Sequence, residues 1–171
     1  MASSSALTDA ERQTWATFYT MRRRLDRALD LQLERDSGLS ASEYEILQAI
    51  HEATGRGLRI TAIAEAIGWE KSRVSHLVTR MEKRELLDRT ECDVDARGSW
   101  IGLTVSGRRA LLGASRGHSA AIRRYFLEVL DPMDAASLES LSARVVGAIG
   151  CAADEDAPQP VTDDEPKQKI A

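Results

Sequence analysis

The stretch GWEKSRVSHLVTRMEKR, residues 68–84, separates into two faces when it is wound into a helix. One face is apolar, because Val74, Leu77, Val78 and Met81 recur at intervals of three and four residues. The other face carries cations, short hydroxyls and a histidine: Lys71, Ser72, Arg73, Ser75, His76, Thr79 and Arg80. A face that meets only solvent usually carries many glutamates, so this composition indicates a binding surface.

The residues before this helix complete a two-helix motif. Ala64 is small enough to let two helices cross closely, and Gly68 permits a tight turn between them. The shared core of the two helices is supplied by Ile63, Ile67, Trp69, Val74 and Leu77. This spacing predicts a helix-turn-helix, whose second helix enters the major groove of DNA.

The polar face suits double-stranded DNA, since glutamates would repel phosphate there. We expect Arg73 and Arg80 to attract phosphate or to pair with guanine, with Lys71 beside them. The other polar side chains are expected to bond phosphates or base edges: Ser72, Ser75, His76 and Thr79. The alternative interpretation is a helix face that is merely solvated.

A β-hairpin is predicted directly after this motif. Residues 87–91 and 99–103 have strand character and flank the polar loop CDVDARG. As a wing, this hairpin would place Arg97 in the minor groove, with Asp95 orienting it and Arg89 nearby. An ordinary surface turn is the alternative, because four acids outnumber the two arginines of the hairpin: Asp88, Glu91, Asp93 and Asp95.

A long helix is predicted ahead of the motif. Thr8 and Glu11 have the capping-box pattern, and nothing breaks the helix before Ser37 and Gly38. At the usual rise per residue this helix is roughly 40 Å long, which suggests an arm that meets a partner.

Four further helix starts can be read from the sequence. Ser40 and Glu43 form a second capping box, and Thr61 is expected to cap a short helix before Gly68. Thr104 is expected to cap a long helix whose apolar positions recur through Val129. The last helix begins with Asp131, Pro132 and Asp134, as caps and first turns often do.

Length, composition and cysteine content limit the class of protein. With 171 residues and 43% apolar content, the chain can form one ordinary soluble domain. No apolar stretch approaches the ~18 residues of a membrane span, and the start lacks the regions of a secretory signal. Two cysteines, Cys92 and Cys151, do not make a disulfide framework, so we expect a cytoplasmic protein.

The charge is unevenly distributed along the chain. The net charge is −4, and residues 152–171 account for all of it with six acids and two bases. This segment also holds three of the four prolines, so we expect a disordered acidic tail. The rest of the chain is neutral and can bind DNA only if its positive charge lies on one face.

Two segments carry a resemblance to a known family. These are AIAEAIGWEKSRVSHLVTRMEKRELLDR at residues 62–89 and DARGSWIGLTVSGRRAL at residues 95–111, with Asp95-Ala-Arg97 and the run from Gly102 to Gly107 inside the second. Together with the long outer helices, they resemble the MarR family of transcriptional regulators over residues 8–150. DSGLSASEYEIL, residues 36–47, resembles an actinobacterial-looking branch of that family.

The resemblance implies a mainly α fold with a small β-hairpin wing, a winged helix-turn-helix with long terminal dimerisation helices. It implies dimerisation helices at residues 8–36 and 112–151, a DNA-binding lobe at residues 40–111, and a flexible start at residues 1–7. It further implies a homodimer that binds a pseudo-palindromic operator, usually as a repressor, and that a small aromatic or anionic effector often releases. The apolar stripes at both ends of the chain independently favour a dimer, since one slender lobe cannot bury all of them.

Five residues are candidates for lining an effector pocket: Trp15, Tyr19, Tyr44, His51 and Trp100. Ordinary core packing is the alternative for each of them. Control by thiol oxidation is a rival mechanism, but the neighbours of Cys92 are acidic and disfavour a thiolate.

Other function classes have little support in the sequence. We expect no metal site and no cofactor, because the three histidines stand apart and no ligand-spaced pair occurs. We expect no enzyme, since no phosphate-binding loop, nucleophile elbow or zinc-hydrolase motif is present. A helical interaction module that keeps the helix-turn-helix without binding DNA is the remaining alternative.

Overall fold

A computed structural model describes residues 6–53, 57–91 and 99–155 of the chain. The elements are α1 (Asp9–Ser37), α2 (Ala41–Glu52), α3 (Ile60–Ile67), α4 (Lys71–Lys83), β1 (Leu87–Glu91), β2 (Ser99–Leu103), α5 (Val105–Tyr125), a 3₁₀ turn (Leu127–Val129) and α6 (Pro132–Glu155). The chain divides into two compact units, Met1–Val129 and Leu130–Ala171. The predicted mainly α fold with one hairpin is confirmed.

Both predicted capping boxes are present. At the start of α1, the Thr8 hydroxyl accepts from the Glu11 amide, and the Glu11 carboxylate accepts from the Thr8 amide at 2.7 Å. Ser40 and Glu43 repeat this exchange at the start of α2. Each pair satisfies amides that a helix start leaves open, which explains why the two helices begin where the sequence predicts.

The predicted cap of α3 is wrong. Thr61 lies inside the helix, Arg59 occupies the N-cap position, and no side chain caps this end. The reason is a long-range pairing, because Leu58 exchanges two backbone hydrogen bonds with Ile101 at 3.0 and 2.8 Å. The chain is therefore extended until Arg59 and turns helical at once.

Two other boundaries differ from the sequence prediction. α5 begins at the predicted cap, where Thr104 Oγ1 accepts from the Gly107 amide at 2.9 Å, but it ends at Tyr125 rather than continuing through Val129. α6 begins at Pro132 as predicted, with Asp131 accepting two amides, and it runs to Glu155. Residues 152–155 of the predicted disordered tail are thus helical, and residues 156–171 lie outside the described residues.

The core of the first unit joins α2, α3, α4, the hairpin and the middle of α5 to the end of α1. Its largest fully buried side chains are Leu33, Leu39, Ile46, Leu47, Ile63, Val74, Val78, Met81 and Ile101. All four residues of the predicted stripe on α4 are buried, with Leu77 the most exposed of them at 4%. Because this stripe faces the core, the polar face of α4 necessarily points outward.

The hairpin has the predicted strands in antiparallel register, with Leu87 opposite Leu103 and Arg89 opposite Ile101. The first half of α1, in contrast, contributes no buried residue to the core. Across the described residues, no helix combines the length and apolar character that crossing a membrane requires.

Candidate nucleic-acid interface

The turn between α3 and α4 has the geometry of a helix-turn-helix. Gly68 adopts a left-handed conformation, with φ at +67°, which favours glycine. Its amide and that of Trp69 both donate to the Ala64 carbonyl, the latter at 2.9 Å. The chain leaves α3 in two residues, so α4 starts at Lys71 with its apolar stripe already facing the core.

The predicted binding residues of α4 lie together on one surface. Lys71, Ser72, Arg73, His76, Thr79 and Arg80 are exposed, and Ser75 is half-buried. The Thr79 hydroxyl donates to the Ser75 carbonyl at 3.0 Å, so its proton is already committed to the helix backbone. The structure thus brings together all seven residues that the sequence assigned to this helix.

Part of this surface forms one wall of a groove of about 720 Å³. Its lining is formed by Ser40, Ser42, Trp69, Arg73, His76, Leu77, Thr79, Arg80 and Lys83. Sequence reasoning missed Lys83, although it follows His76 and Arg80 at the spacing of the same helical face. Ser40 and Ser42 come from the start of α2 and have no local signal, because only the tertiary fold places them beside α4.

The basic side chains near α4 fall into two groups. Within the part of the chain that the structure describes, four cations and one histidine have no hydrogen bond or ion pair: Lys71, Arg73, His76, Arg80 and Lys83. The guanidinium carbon of Arg73 lies 3.5 Å from the centre of the Trp69 ring, which is a cation–π contact. These groups retain their hydrogen-bond donors for an external anion.

The second group consists of Arg84 and Arg89, whose guanidinium groups are occupied. Arg84 donates to Glu43 Oε1 at 2.6 Å and to the Gly38 carbonyl at 2.9 Å. Arg89 donates to both carboxylate oxygens of Glu82, at 2.9 and 3.2 Å. Among the described residues that were predicted to bind DNA, Arg89 is therefore the one whose role this geometry supports least.

The buried carboxylate of Glu43 is held in its charged form. Burial raises the pKa of Glu43, but hydrogen bonds from Ser40 and Arg84 outweigh burial and leave that pKa below its usual value. Arg84 therefore joins the end of α4 to the end of α1, at Gly38, and to α2, at Glu43, whose side chain is only 9% exposed. This role was not predicted, since 41 residues separate the partners.

The remaining predictions for the wing lie outside the described residues. Asp95, Arg97 and Cys92 all fall in the segment 92–98.

The five candidates for an effector pocket are distributed over the first unit. Trp15 and Tyr19 stack on each other at 6.0 Å on the exposed half of α1. His51 is exposed, with Nδ1 3.4 Å from Arg108, and Trp100 lies beside the guanidinium of Arg59. Among the five, a ring contact joins only Trp15 to Tyr19 in the described structure.

Tyr44 belongs to a polar cluster in the core. Its hydroxyl donates to Ser115 Oγ at 3.3 Å, and its ring centre lies 4.7 Å from that of His118. His118 Nδ1 lies 3.4 Å from the amide oxygen of Gln32, which is buried. Burial lowers the pKa of His118, so its ring is neutral near pH 7.

The comparisons with known proteins agree with this geometry. A sequence model described as the MarR family matches residues 37–98. The chain is 33% identical to AbsC, a MarR family transcriptional regulator from Streptomyces coelicolor, with a TM-score of 0.79 over 85% of this chain and 98% of that chain. No curated protein sequence matches the chain.

Two further solved structures carry bound molecules. Sco3205, a MarR family transcriptional regulator from Streptomyces coelicolor in complex with DNA, is 31% identical, with a TM-score of 0.80 over 86% of this chain and 92% of that chain. CouR from Rhodococcus jostii RHA1, bound to p-coumaroyl-CoA, is 25% identical, with a TM-score of 0.66 over 83% and 95%.

Proposed function

Because the chain belongs to the MarR family of transcriptional regulators, we propose that it binds double-stranded DNA through the exposed face of α4. The observation that carries this proposal is the group of cations on that face that, among the described residues, have no hydrogen bond or ion pair, Arg73 and Arg80 among them. An unpaired guanidinium on a second helix of this motif suits the phosphates and guanines of a major groove. The solved complex of Sco3205 with DNA supports DNA binding by a chain of this fold.

The side chains of the face divide into positioning and reading roles. Lys71 and Lys83 are assigned to phosphates, since an ammonium acts as a point charge without a preferred plane. Arg73 and Arg80 are assigned to guanine or phosphate, and the short or flat side chains complete the contact: Ser72, Ser75, His76 and Thr79. In the wing, Asp95 and Arg97 keep the minor-groove role that the sequence predicts.

A homodimer is part of the proposal, and residues 8–36 and 112–151 are its dimerisation segments. Along the first half of α1, four large apolar side chains are between 41% and 57% exposed: Trp15, Phe18, Tyr19 and Met21. α6, in the second unit, exposes Met133, Leu141, Val145, Val146 and Ile149. Apolar patches of this kind favour burial against a second copy, and a two-fold dimer places its recognition helices about 34 Å apart.

The regulatory outcome proposed is repression in the cytoplasm. A dimer bound to a pseudo-palindromic operator at a promoter excludes the transcription machinery from that DNA. The effector proposed is a small aromatic or anionic molecule, and the binding of p-coumaroyl-CoA by CouR supports this chemical class.

Selection from a randomised duplex pool tests the proposed function. The protein is incubated with the pool at a stated salt concentration, and the bound fraction is sequenced. An inverted repeat with half-sites about 10 bp apart is expected, since each recognition helix reads one half-site. Absence of any enriched sequence would contradict the proposal and favour the interaction module that keeps the motif without binding DNA.

Light scattering tests the dimer separately. The expected mass is twice the 18.8 kDa of one chain. A Trp15→Ser, Phe18→Ser double variant should lower that mass at micromolar concentration, whereas the matched pair Thr17→Ser, Thr20→Ser on the same helix should not. A wild-type mass of one chain would contradict the dimer but would leave the proposed DNA-binding role of the α4 face unaffected.

A further inference from the structure

Trp69 is a fixed part of the helix-turn-helix. Its amide is bonded to the Ala64 carbonyl, and it follows Gly68, whose left-handed conformation defines the turn. The side chain is half-buried and packs against the core cluster. The indole ring is therefore restrained by the hydrogen-bonded backbone and by packing against the core.

Arg73 lies against the free part of that ring, one helical turn further on. The 3.5 Å between its guanidinium carbon and the ring centre is shorter than in the four other cation–π contacts among the described residues, which span 5.6–5.8 Å. A guanidinium carries all its N–H donors in its own plane, so contact with a ring through its face leaves those donors unused. Trp69 thus restrains Arg73 without consuming a single donor.

An ion pair does not explain the position of Arg73. The carboxylate of Glu45 senses the charge of Arg73 without bonding to it: burial raises the pKa of Glu45, and the positive charge of Arg73 acts in the opposite direction. No ion pair between Arg73 and a carboxylate occurs in the described parts of the chain. The contact with the ring is therefore the restraint that sets where the guanidinium lies.

We propose that Trp69 is a positioning residue for base recognition, which holds the planar guanidinium of Arg73 ready to bond one guanine bidentately. This inference rests on the proposed DNA binding. Bidentate bonding to guanine needs a defined guanidinium plane, whereas a phosphate accepts a cation from many directions. Trp69 then contributes to specificity at one base pair by way of Arg73.

A double-mutant cycle on the selected duplex tests this role. Binding constants are measured for the wild type, Trp69→Leu, Arg73→Ala and the double variant, on the selected duplex and on duplexes with one G·C pair replaced. Trp69→Leu should weaken binding about two- to fivefold, the usual worth of an exposed cation–π contact. It should also weaken the preference for guanine at one position, and the double variant should bind like Arg73→Ala alone.

Arg80 provides the matched control, because it lines the same groove without contacting the Trp69 ring. The effects of Trp69→Leu and Arg80→Ala should multiply independently. Thermal unfolding establishes that each variant is folded. Trp69→Phe, which keeps a smaller ring, should have an affinity for the duplex between those of the wild type and Trp69→Leu. It replaces Trp69→Leu in the cycle if leucine disrupts the fold.

Two results would overturn the inference while leaving DNA binding intact. One is an unchanged base preference in both Trp69 variants, and the other is independent multiplication of the Trp69 and Arg73 effects. If the wild type selects no sequence at all, the proposed function fails as well, so the two failures are distinguishable.

Discussion

Replacing Arg84 with methionine is expected to destabilise the fold rather than to weaken DNA binding. Methionine keeps the length and the apolar stem of Arg84 but removes its bonds to Glu43 and to the Gly38 carbonyl. Glu43 is left as a buried carboxylate whose remaining donors are the amide and hydroxyl of Ser40.

The magnitude follows from the exposure of the two partners. Breaking a fully buried ion pair costs about 3–5 kcal/mol, because the remaining charge is stranded. Here the Glu43 side chain is 9% exposed but the Arg84 side chain is 45% exposed, so solvent screens part of that cost. We expect a loss of about 2 kcal/mol in the free energy of unfolding, which lowers Tm by about 4–8 °C for a chain of this size.

The loss should depend on pH in a defined direction. In the wild type, burial raises the pKa of Glu43, but Ser40 and Arg84 together lower it below the usual 4.5. The stability that this carboxylate contributes is therefore present above about pH 4.5 and is lost as the pH falls through the lower pKa of the folded state. The difference between wild type and variant should accordingly be largest near pH 7 and should shrink below pH 4.5.

Urea unfolding followed by circular dichroism, at pH values from 7 to 3, measures this difference. Arg89→Met is the matched control, since Arg89 also donates two hydrogen bonds, both to Glu82, but this pair has side-chain exposures of 37% and 24%. That control should cost less than about 1 kcal/mol. A cost below about 0.5 kcal/mol for Arg84→Met, or one that does not change with pH, would refute the assigned role.

Three further predictions concern the core, the polar cluster and the helix cap. Gly57→Ala should lower the free energy of unfolding, measured by chemical denaturation, by roughly 2–4 kcal/mol. The reason is that φ at Gly57 is +127° and a Cβ would lie 2.2 Å from the Ile101 carbonyl oxygen. A variant as stable as the wild type would contradict the Leu58–Ile101 bridge. Burial lowers the pKa of His118 in the folded protein. As the pH falls below about 6.5, the His118 ring of the unfolded chain is therefore protonated before that of the folded chain. The stability of the wild type should fall in this range relative to His118→Gln. Parallel pH profiles of the two proteins would show that the ring titrates normally. Thr104→Ala should cost about 1 kcal/mol in the same assay through loss of the α5 cap, and Thr104→Ser should restore most of it.

The parts of the fold that the sequence predicts correctly are those with local signals. Both capping boxes place their two partners three residues apart, and the buried stripe of α4 repeats at helical spacing, so neither needs knowledge of distant contacts. The start of α3 could not be read in this way. Thr61 is a better capping residue than Arg59, but the pairing of Leu58 with Ile101 overrides that preference from 43 residues away.

The candidate interface likewise has features with a local signal in the sequence and features that tertiary contacts decide. The seven polar residues of α4 were predicted together because one helix carries them all. The sequence does not reveal which nearby arginines are free, since the carboxylates that occupy Arg84 and Arg89 are set by tertiary packing and by strand pairing. The contact of Arg73 with Trp69 was likewise hidden, because periodicity assigns Trp69 simply to the core.

The affinity of a variant that lacks both arginines of the α4 face tests the central claim most directly. The Arg73→Ala, Arg80→Ala double variant is compared with the wild type on the selected duplex. Affinities are measured by fluorescence anisotropy at several salt concentrations. The Arg108→Ala, Arg109→Ala double variant on α5 is the control with the same change in charge, since both residues are exposed and lie outside the α4 face and the proposed dimerisation segments. The α4 variant should lose at least about tenfold in affinity and show a smaller salt dependence, while the control and the thermal stability stay near wild type. Equal affinities for the α4 variant and the wild type would contradict the account, because the DNA would then be bound by another surface.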